Sequence, residues 1–201
     1  GSPSRCSRES RGGRTGRLEQ QCASLAPKIF SGELKSPQIV WEELKTIVPK
    51  DDEFKSDFKT YVEGNAAKAR YILMQLEIIK WQLTHPGKEP EKLPSHDPSI
   101  LNLEHILPEN PSNEWNKVIS TDKKISQECL NNIGNLCLTR AKSNKKLGAS
   151  SFSSKSQAIY KESDLLITSE LATKYSEWHR QNIEARASAL AELAIKAWPI
   201  N

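Results

Sequence analysis

The stretch ILNLEHILP, residues 100–108, is the first of two that decide the fold. Its apolar residues run from Ile100 to Leu107, and Pro108 follows them directly. Because proline has no N–H to give to a sheet, it ends a strand or confines it to an edge. The sequence therefore predicts a β-strand from Ile100 to Leu107 that ends in Glu-His-Ile-Leu-Pro.

The second stretch is IGNLCLTRAKSN, residues 133–144. Gly134 breaks a short helix that we predict over residues 125–130, and residues 136–139 then have the composition of a second strand. A polar turn follows, and after it comes a helical stretch that passes Tyr160. These two stretches together predict a small strand–strand–helix insert at residues 100–160.

Helical patterns lie on both sides of this insert. Ser36 is a good cap residue and Pro37 suits the first helical position. Asn65 opens the clearest helix, in which apolar residues recur every three or four positions. They are Ala69, Ile72, Leu73, Leu76, Ile79 and Leu83. A long last helix is predicted from near Thr168. The fold class is therefore mainly α with a small α+β insert.

The first 35 residues differ from the rest in composition. Residues 1–17 are rich in Gly, Ser and Arg and offer almost nothing to bury, and residues 18–35 have no clear pattern. We expect a flexible tail or linker over residues 1–35 and a helical domain over residues 36–201.

The net charge of +4 is misleading, because the five arginines and one glutamate of residues 1–17 account for all of it. The informative charge is local: no acidic residue lies between Glu128 and Glu162. A patch of one sign suits contact with a polyanion, so we expect phosphate contacts from this run. The candidates for DNA binding are Arg140, Lys142, Lys145, Lys146 and Lys155, and the run also holds Lys161.

Several classes of protein are excluded by composition and motifs. No apolar run is long enough for a transmembrane helix, and the first residues do not resemble a secretory signal. Cys6, Cys22, Cys129 and Cys137 form no CxxC pair, which argues against a zinc finger and a disulfide framework. A cytoplasmic location is the simplest expectation. Phosphate-binding loops of the GxxxxGK[ST] and GxGxxG types are absent from the sequence.

The residues that carry chemistry are Glu104, His105, Asn135 and Asn144. Hydrolysis of a phosphodiester needs a water deprotonated near neutral pH, which a neutral imidazole can accomplish. It also needs a hard divalent cation, and Mg²⁺ prefers a few oxygen ligands while keeping several waters. A carboxylate beside a histidine and an amide oxygen from across a turn meet both needs.

Glu-His-Ile-Leu-Pro followed by Asn-x8-Asn resembles the HNH (ββα-metal) nucleases. The wider pattern adds Trp115, Ile133-Gly134-Asn135-Leu136 and Phe152-x-x-Lys155-x-x-x-x-Tyr160. It is similar to the C-terminal nuclease module of the GmrSD type, found in modification-dependent restriction and phage-defence proteins. The resemblance covers roughly residues 36–200, and its functional motifs lie within residues 103–160.

The resemblance implies a helical bundle around a ββα-metal motif and a role for each motif residue. It makes His105 the general base, Glu104 a metal ligand in a position where many HNH proteins have Asp, and Asn144 the second metal-side residue. Asn135 supports the loop that carries the base. The implied cofactor is Mg²⁺ or Mn²⁺ and the implied substrate is DNA. An N-terminal nucleotide-handling domain or partner subunit usually accompanies such a module and is absent from this chain.

Two other functions remain open from the sequence. One is a non-catalytic module that keeps the HNH motif only as a fold and binds DNA or docks on protein. The other is a purely structural interaction domain with helices as the partner surface. A single active site favours nicking over double-strand cleavage unless the protein forms a dimer.

Overall fold

The computed structural model describes residues 6–88, 94–95, 97–140 and 148–199. Contacts divide the chain into two compact units, Gly1–Lys50 and Asp51–Asn201.

The first unit contains helices α1 (Cys6–Phe30) and α2 (Pro37–Lys45). The start predicted for α2 is confirmed: the Ser36 hydroxyl accepts from the backbone N–H of Ile39 at 3.4 Å, and Pro37 stands in the first turn. Helix α1 lies where the sequence indicates a flexible tail or linker. Its backbone hydrogen bonds are local and need no long apolar stripe, which is why composition did not reveal it. The domain boundary at residues 35 and 36 stays a prediction.

The second unit is built from four longer elements of helix, two strands and several short turns of helix. The Asn65 side chain caps α4, accepting from Ala67 N at 3.0 Å and Lys68 N at 3.1 Å, as the sequence predicts. In chain order the elements are α3 (Asp51–Lys59), α4 (Ala66–Thr84), β1 (Leu101–His105), a 3₁₀ turn (Asn113–Trp115), α5 (Asn116–Thr121), α6 (Ile125–Cys129), a second 3₁₀ turn (Ile133–Asn135), β2 (Leu136–Arg140), α7 (Phe152–Lys155), a π-helical turn (Ser156–Tyr160), α8 (Leu166–Lys174) and α9 (Arg180–Ala197).

The single long last helix that the sequence predicts is wrong, because α8 and α9 are separate. The backbone of Tyr175 is extended and ends α8. The backbone N–H of His179 then donates to Asn182 Oδ1 at 2.9 Å, which begins α9 with a new cap. The apolar spacing continues across this break, so periodicity alone could not locate it.

Strands β1 and β2 form an antiparallel pair in which Glu104 lies opposite Cys137 and His105 opposite Leu136. β1 falls inside its predicted segment, and β2 starts where predicted and ends one residue later, at Arg140. β1 ends at His105, two residues before the predicted end, because the N–H of Leu107 bonds to a side chain, that of Asn135, instead of continuing the ladder. The coarse fold class, mainly helical with a small β component, is confirmed.

The two faces of β2 contribute to two different apolar clusters. Leu136 and Leu138 pack in a cluster with α3, α4 and α9. Cys137 points the other way, into a cluster that includes Trp115 and Trp178. The strand is therefore buried on both sides, which fixes its register and holds the end of β1 firmly. None of the helices in the described ranges combines the length and apolar character needed to cross a membrane.

Candidate functional site

His105 is the last residue of β1 and its imidazole is partly buried. Its Nε2 lies 3.0 Å from Asn131 Oδ1. With the amide oxygen as acceptor, Nε2 carries the proton and Nδ1 keeps its lone pair, so Nδ1 is the atom able to take a proton. No spacing rule in the sequence points to this contact between Asn131 and a residue 26 positions earlier.

The backbone of Asn131 is itself held in place. Its carbonyl accepts from the N–H of Glu63 at 2.9 Å, and the N–H of Ile133 donates to the carbonyl of Tyr61 at 3.0 Å. The segment after α3 therefore runs antiparallel to the residues before β2. This pairing positions the Asn131 amide before any substrate binds.

Asn135 is fully buried and joins four groups across the site. Its Oδ1 accepts from Leu107 N at 2.8 Å and from Trp178 Nε1 at 3.0 Å. Its Nδ2 donates to the carbonyls of Leu107 at 3.0 Å and Leu130 at 2.9 Å. Its side chain thus fixes the turn that follows His105 against the turn that precedes β2. Because Asn135 has no exposed surface, it holds the turn after His105 from the interior and does not itself line the cavity surface.

The turn that carries Asn135 rests on α9. A Cβ on Gly134 would lie 2.1 Å from the carbonyl oxygen of Ile183, so only glycine permits this approach. The buried guanidinium of Arg186 donates to the carbonyls of Gly134 at 2.8 Å and Leu136 at 2.7 Å. Burial lowers the pKa of Arg186 from its usual value, since the charge loses its water.

Glu104 is buried and forms an ion pair with Lys155. Lys155 Nζ lies 2.5 Å from Glu104 Oε1, and the lysine side chain has no exposed surface. The ammonium also donates to the carbonyls of His105 at 2.8 Å and Ile106 at 3.2 Å. The expectation that Lys155 contacts phosphate is therefore wrong: its charge is used inside the protein.

The charge pattern of the acid-free run does not separate surface lysines from a buried one. Phe152 and Ile159 lie three residues before and four residues after Lys155, on the same helical face, and both are buried. That spacing is the signal that could have placed Lys155 in the interior. Arg186 carries the same signal, since Ile183 and Leu190 are buried on its face of α9.

An open cavity of about 290 Å³ lies beside the end of β1. Its lining includes Glu104, His105, Glu109 and Asn110. Carboxylate and amide oxygens beside one imidazole are donors that suit a hard divalent cation. No group of three or more His, Cys, Asp or Glu within the described ranges could form a metal cage. Mg²⁺ does not need such a cage, because it keeps most of its waters.

The remaining predicted site residues are placed only in part. Asn144, Lys142, Lys145 and Lys146 lie outside the described residues. Arg140 is exposed at the end of β2 and forms an ion pair with Asp164. Its exposure allows contact with a polyanion, and its role in binding DNA stays a prediction.

Two of the cysteines lie in the apolar interior. Cys129 and Cys137 are free and buried, and both belong to the cluster that includes Trp115 and Trp178. Burial raises the pKa of Cys137 to about 12, so its thiol stays protonated at neutral pH.

Comparison with known proteins gives one family. The model of the GmrSD restriction endonucleases, C-terminal domain, matches residues 48–193. A search of curated proteins gave no match.

Proposed function

Because the chain belongs to the family of C-terminal domains of GmrSD restriction endonucleases, we propose that it is a metal-dependent DNA endonuclease or nickase with His105 as general base. Membership makes it a nuclease-type domain of restriction proteins. The observation that carries the finer proposal is the His105 imidazole, held by Asn131 through Nε2 at the edge of an open, oxygen-lined cavity.

The reaction that this arrangement supports is hydrolysis of a phosphodiester. Nδ1 of His105 accepts a proton from a water as the water oxygen forms a bond to phosphorus. The bond from phosphorus to the leaving sugar oxygen breaks, and that oxygen takes a proton from solvent. Asn131 keeps the imidazole in the productive tautomer, and Asn135 holds the turn after it.

The divalent ion would be held by Glu104 with Asn144, and Glu109 and Asn110 are further oxygen donors at the cavity. Mg²⁺ or Mn²⁺ supplies positive charge for the phosphate as negative charge accumulates on it. Lys155 already donates a hydrogen bond to Glu104 Oε1, so the position of this carboxylate oxygen is fixed.

The DNA would approach from the side of the acid-free run. Arg140 and Lys161 are exposed members of this run among the described residues, and Lys142, Lys145 and Lys146 follow Arg140 in sequence. Contacts of this kind position a strand without reading its sequence. We infer that the domain is the cleaving part of a larger restriction or phage-defence protein, whose nucleotide-handling part or partner recognises the target.

A nicking assay tests the proposal. Supercoiled plasmid is incubated with wild type, His105→Ala and His85→Ala, each with Mg²⁺, Mn²⁺ or EDTA. His85 is the matched control, since its ring stacks on Trp81 at the end of α4, outside the site.

We expect wild type and His85→Ala to nick only with a divalent ion and His105→Ala to be inactive. Equal nicking by all three proteins, or none by any, would refute the proposal. Salt-sensitive DNA binding indifferent to EDTA and to His105→Ala, without nicking, would identify a non-catalytic DNA-binding module.

A further inference from the structure

Lys155 belongs to the acid-free basic run, but its side chain lies in the interior of the protein. Its side chain is fully buried, and its ammonium has three acceptors: Glu104 Oε1, the carbonyl of His105 and the carbonyl of Ile106. An ammonium has three N–H donors, so every one of them has a partner. A buried charge that is fully hydrogen-bonded is held in one geometry, because any other leaves it unsatisfied.

The acceptors of Lys155 belong to the residues that carry the chemistry. Adjacent residues of a strand point to opposite faces, so the side chains of Glu104 and His105 diverge. Lys155 joins them by binding the side chain of Glu104 and the main chain of His105. Lys155 therefore links the carboxylate of Glu104 to the backbone of the residue that carries the imidazole.

The backbone after His105 is held from two sides. Asn135 accepts from two backbone N–H groups of this segment. The N–H of Ile106 donates to the Asn135 carbonyl at 2.9 Å, and the N–H of Leu107 donates to Asn135 Oδ1 at 2.8 Å. Lys155 binds the carbonyl side of the same segment. With both sides engaged, the peptide that follows the base cannot rotate without breaking buried hydrogen bonds.

We propose that Lys155 is a positioning residue for cleavage, which fixes the His105–Ile106 peptide and the Glu104 carboxylate and does not bind DNA. The inference rests on the proposed function, because it names what holds the base of that site. A displacement of about 1 Å at a reacting group can reduce the reaction rate by about 100-fold. The hydrogen bonds that fix the His105–Ile106 peptide therefore control the turnover rate.

Lys155→Met tests the inference against Lys123→Met, which makes the same change at an exposed lysine outside the acid-free run. Circular dichroism first sets a temperature at which both variants are folded. We expect Lys155→Met to lower kcat by about 10- to 100-fold, with KM for plasmid within about twofold and an unchanged dependence of DNA binding on salt. Lys123→Met should leave kcat unchanged.

A second measurement does not depend on activity. In ¹H–¹⁵N spectra of the imidazole, Lys155→Met should displace and broaden the His105 resonances, and Lys123→Met should leave them in place. If Lys155→Met does not fold, Glu104→Gln/Lys155→Met replaces it in this spectroscopic measurement only, because removing both charges leaves no uncompensated ion but also removes the proposed metal ligand.

Three outcomes would overturn the inference. Weaker DNA binding with a reduced salt dependence would show that Lys155 contacts phosphate. A folded Lys155→Met with wild-type kcat would make the residue merely structural. Unchanged His105 resonances would show that the hydrogen bonds of Lys155 do not affect the His105 imidazole. If wild type itself does not nick, the proposed function fails, and the resonances still decide whether Lys155 positions His105.

Discussion

Replacing Asn135 by alanine tests the turn that holds the candidate base. The substitution removes one amide that accepts two hydrogen bonds and donates two, of which three are buried and the one to Leu130 is partly buried. It leaves the N–H of Leu107, the indole N–H of Trp178 and the carbonyls of Leu107 and Leu130 without this partner. Each buried polar group left unsatisfied costs about 1–3 kcal/mol, although local relaxation and water recover part of it.

The expected loss follows from these four groups. With partial recovery, we expect Asn135→Ala to lower the free energy of unfolding by about 4 kcal/mol. For a domain of this size that corresponds to a fall in Tm of about 10 °C. Trp178→Phe removes only one of the four donors and acceptors and should cost about 1 kcal/mol from the lost hydrogen bond.

Urea unfolding of wild type, Asn135→Ala, Trp178→Phe and Asn116→Ala measures these values. Asn116 is the matched control, because it is exposed on α5. A loss below about 1 kcal/mol for Asn135→Ala would refute the hydrogen-bond argument, since a single unsatisfied buried group already costs that much.

Three further predictions concern other parts of the domain. Gly134→Ala should destabilise the domain by about 3 kcal/mol in urea unfolding, because the new Cβ would lie 2.1 Å from the Ile183 carbonyl oxygen and push α9 away. A loss of stability within error of zero would contradict the close approach of Gly134 to Ile183. The hydrogen bond from Arg180 lowers the pKa of Asp122 in the folded protein. The ionised Asp122 therefore stabilises the fold at a pH above its pKa in the unfolded protein, and this stabilisation disappears as the pH falls through its pKa in the folded protein. Asp122→Asn should therefore be less stable than wild type at pH 7, and the difference should close below about pH 4, whereas a constant difference would exclude the ion pair as its cause. Burial raises the pKa of Cys137 to about 12, so a thiol reagent at pH 8 should label this residue only after unfolding, as a mass measurement of native and denatured protein can show; labelling in the native state would contradict its burial.

Local chemistry explains which parts of the fold the sequence could predict. The start of α4 follows from the cap at Asn65, and the two strands follow from short apolar runs bounded by Pro108 and Gly134. Each of these signals lies within a few residues of the feature that it determines. The break between α8 and α9 was missed because the apolar period continues across it.

The candidate site was predictable as a set of residues but not as a network. The motif brings Glu104, His105 and Asn135 to one end of the strand pair, as the resemblance implies. The partners Asn131, Lys155 and Arg186 were missed or misassigned, because each acts through contacts 26 to 53 residues away along the chain. Long-range contacts of this kind depend on tertiary packing, which a motif does not encode.

The position of the metal ion tests most directly whether the cavity beside His105 is the catalytic site. A crystal of the domain soaked in Mn²⁺ gives an anomalous difference map that locates manganese without regard to activity. We predict one strong peak in the cavity beside His105, with an oxygen of Glu104 among its ligands. Manganese bound only elsewhere, in a protein that nicks DNA, would contradict the assignment of this cavity as the catalytic site.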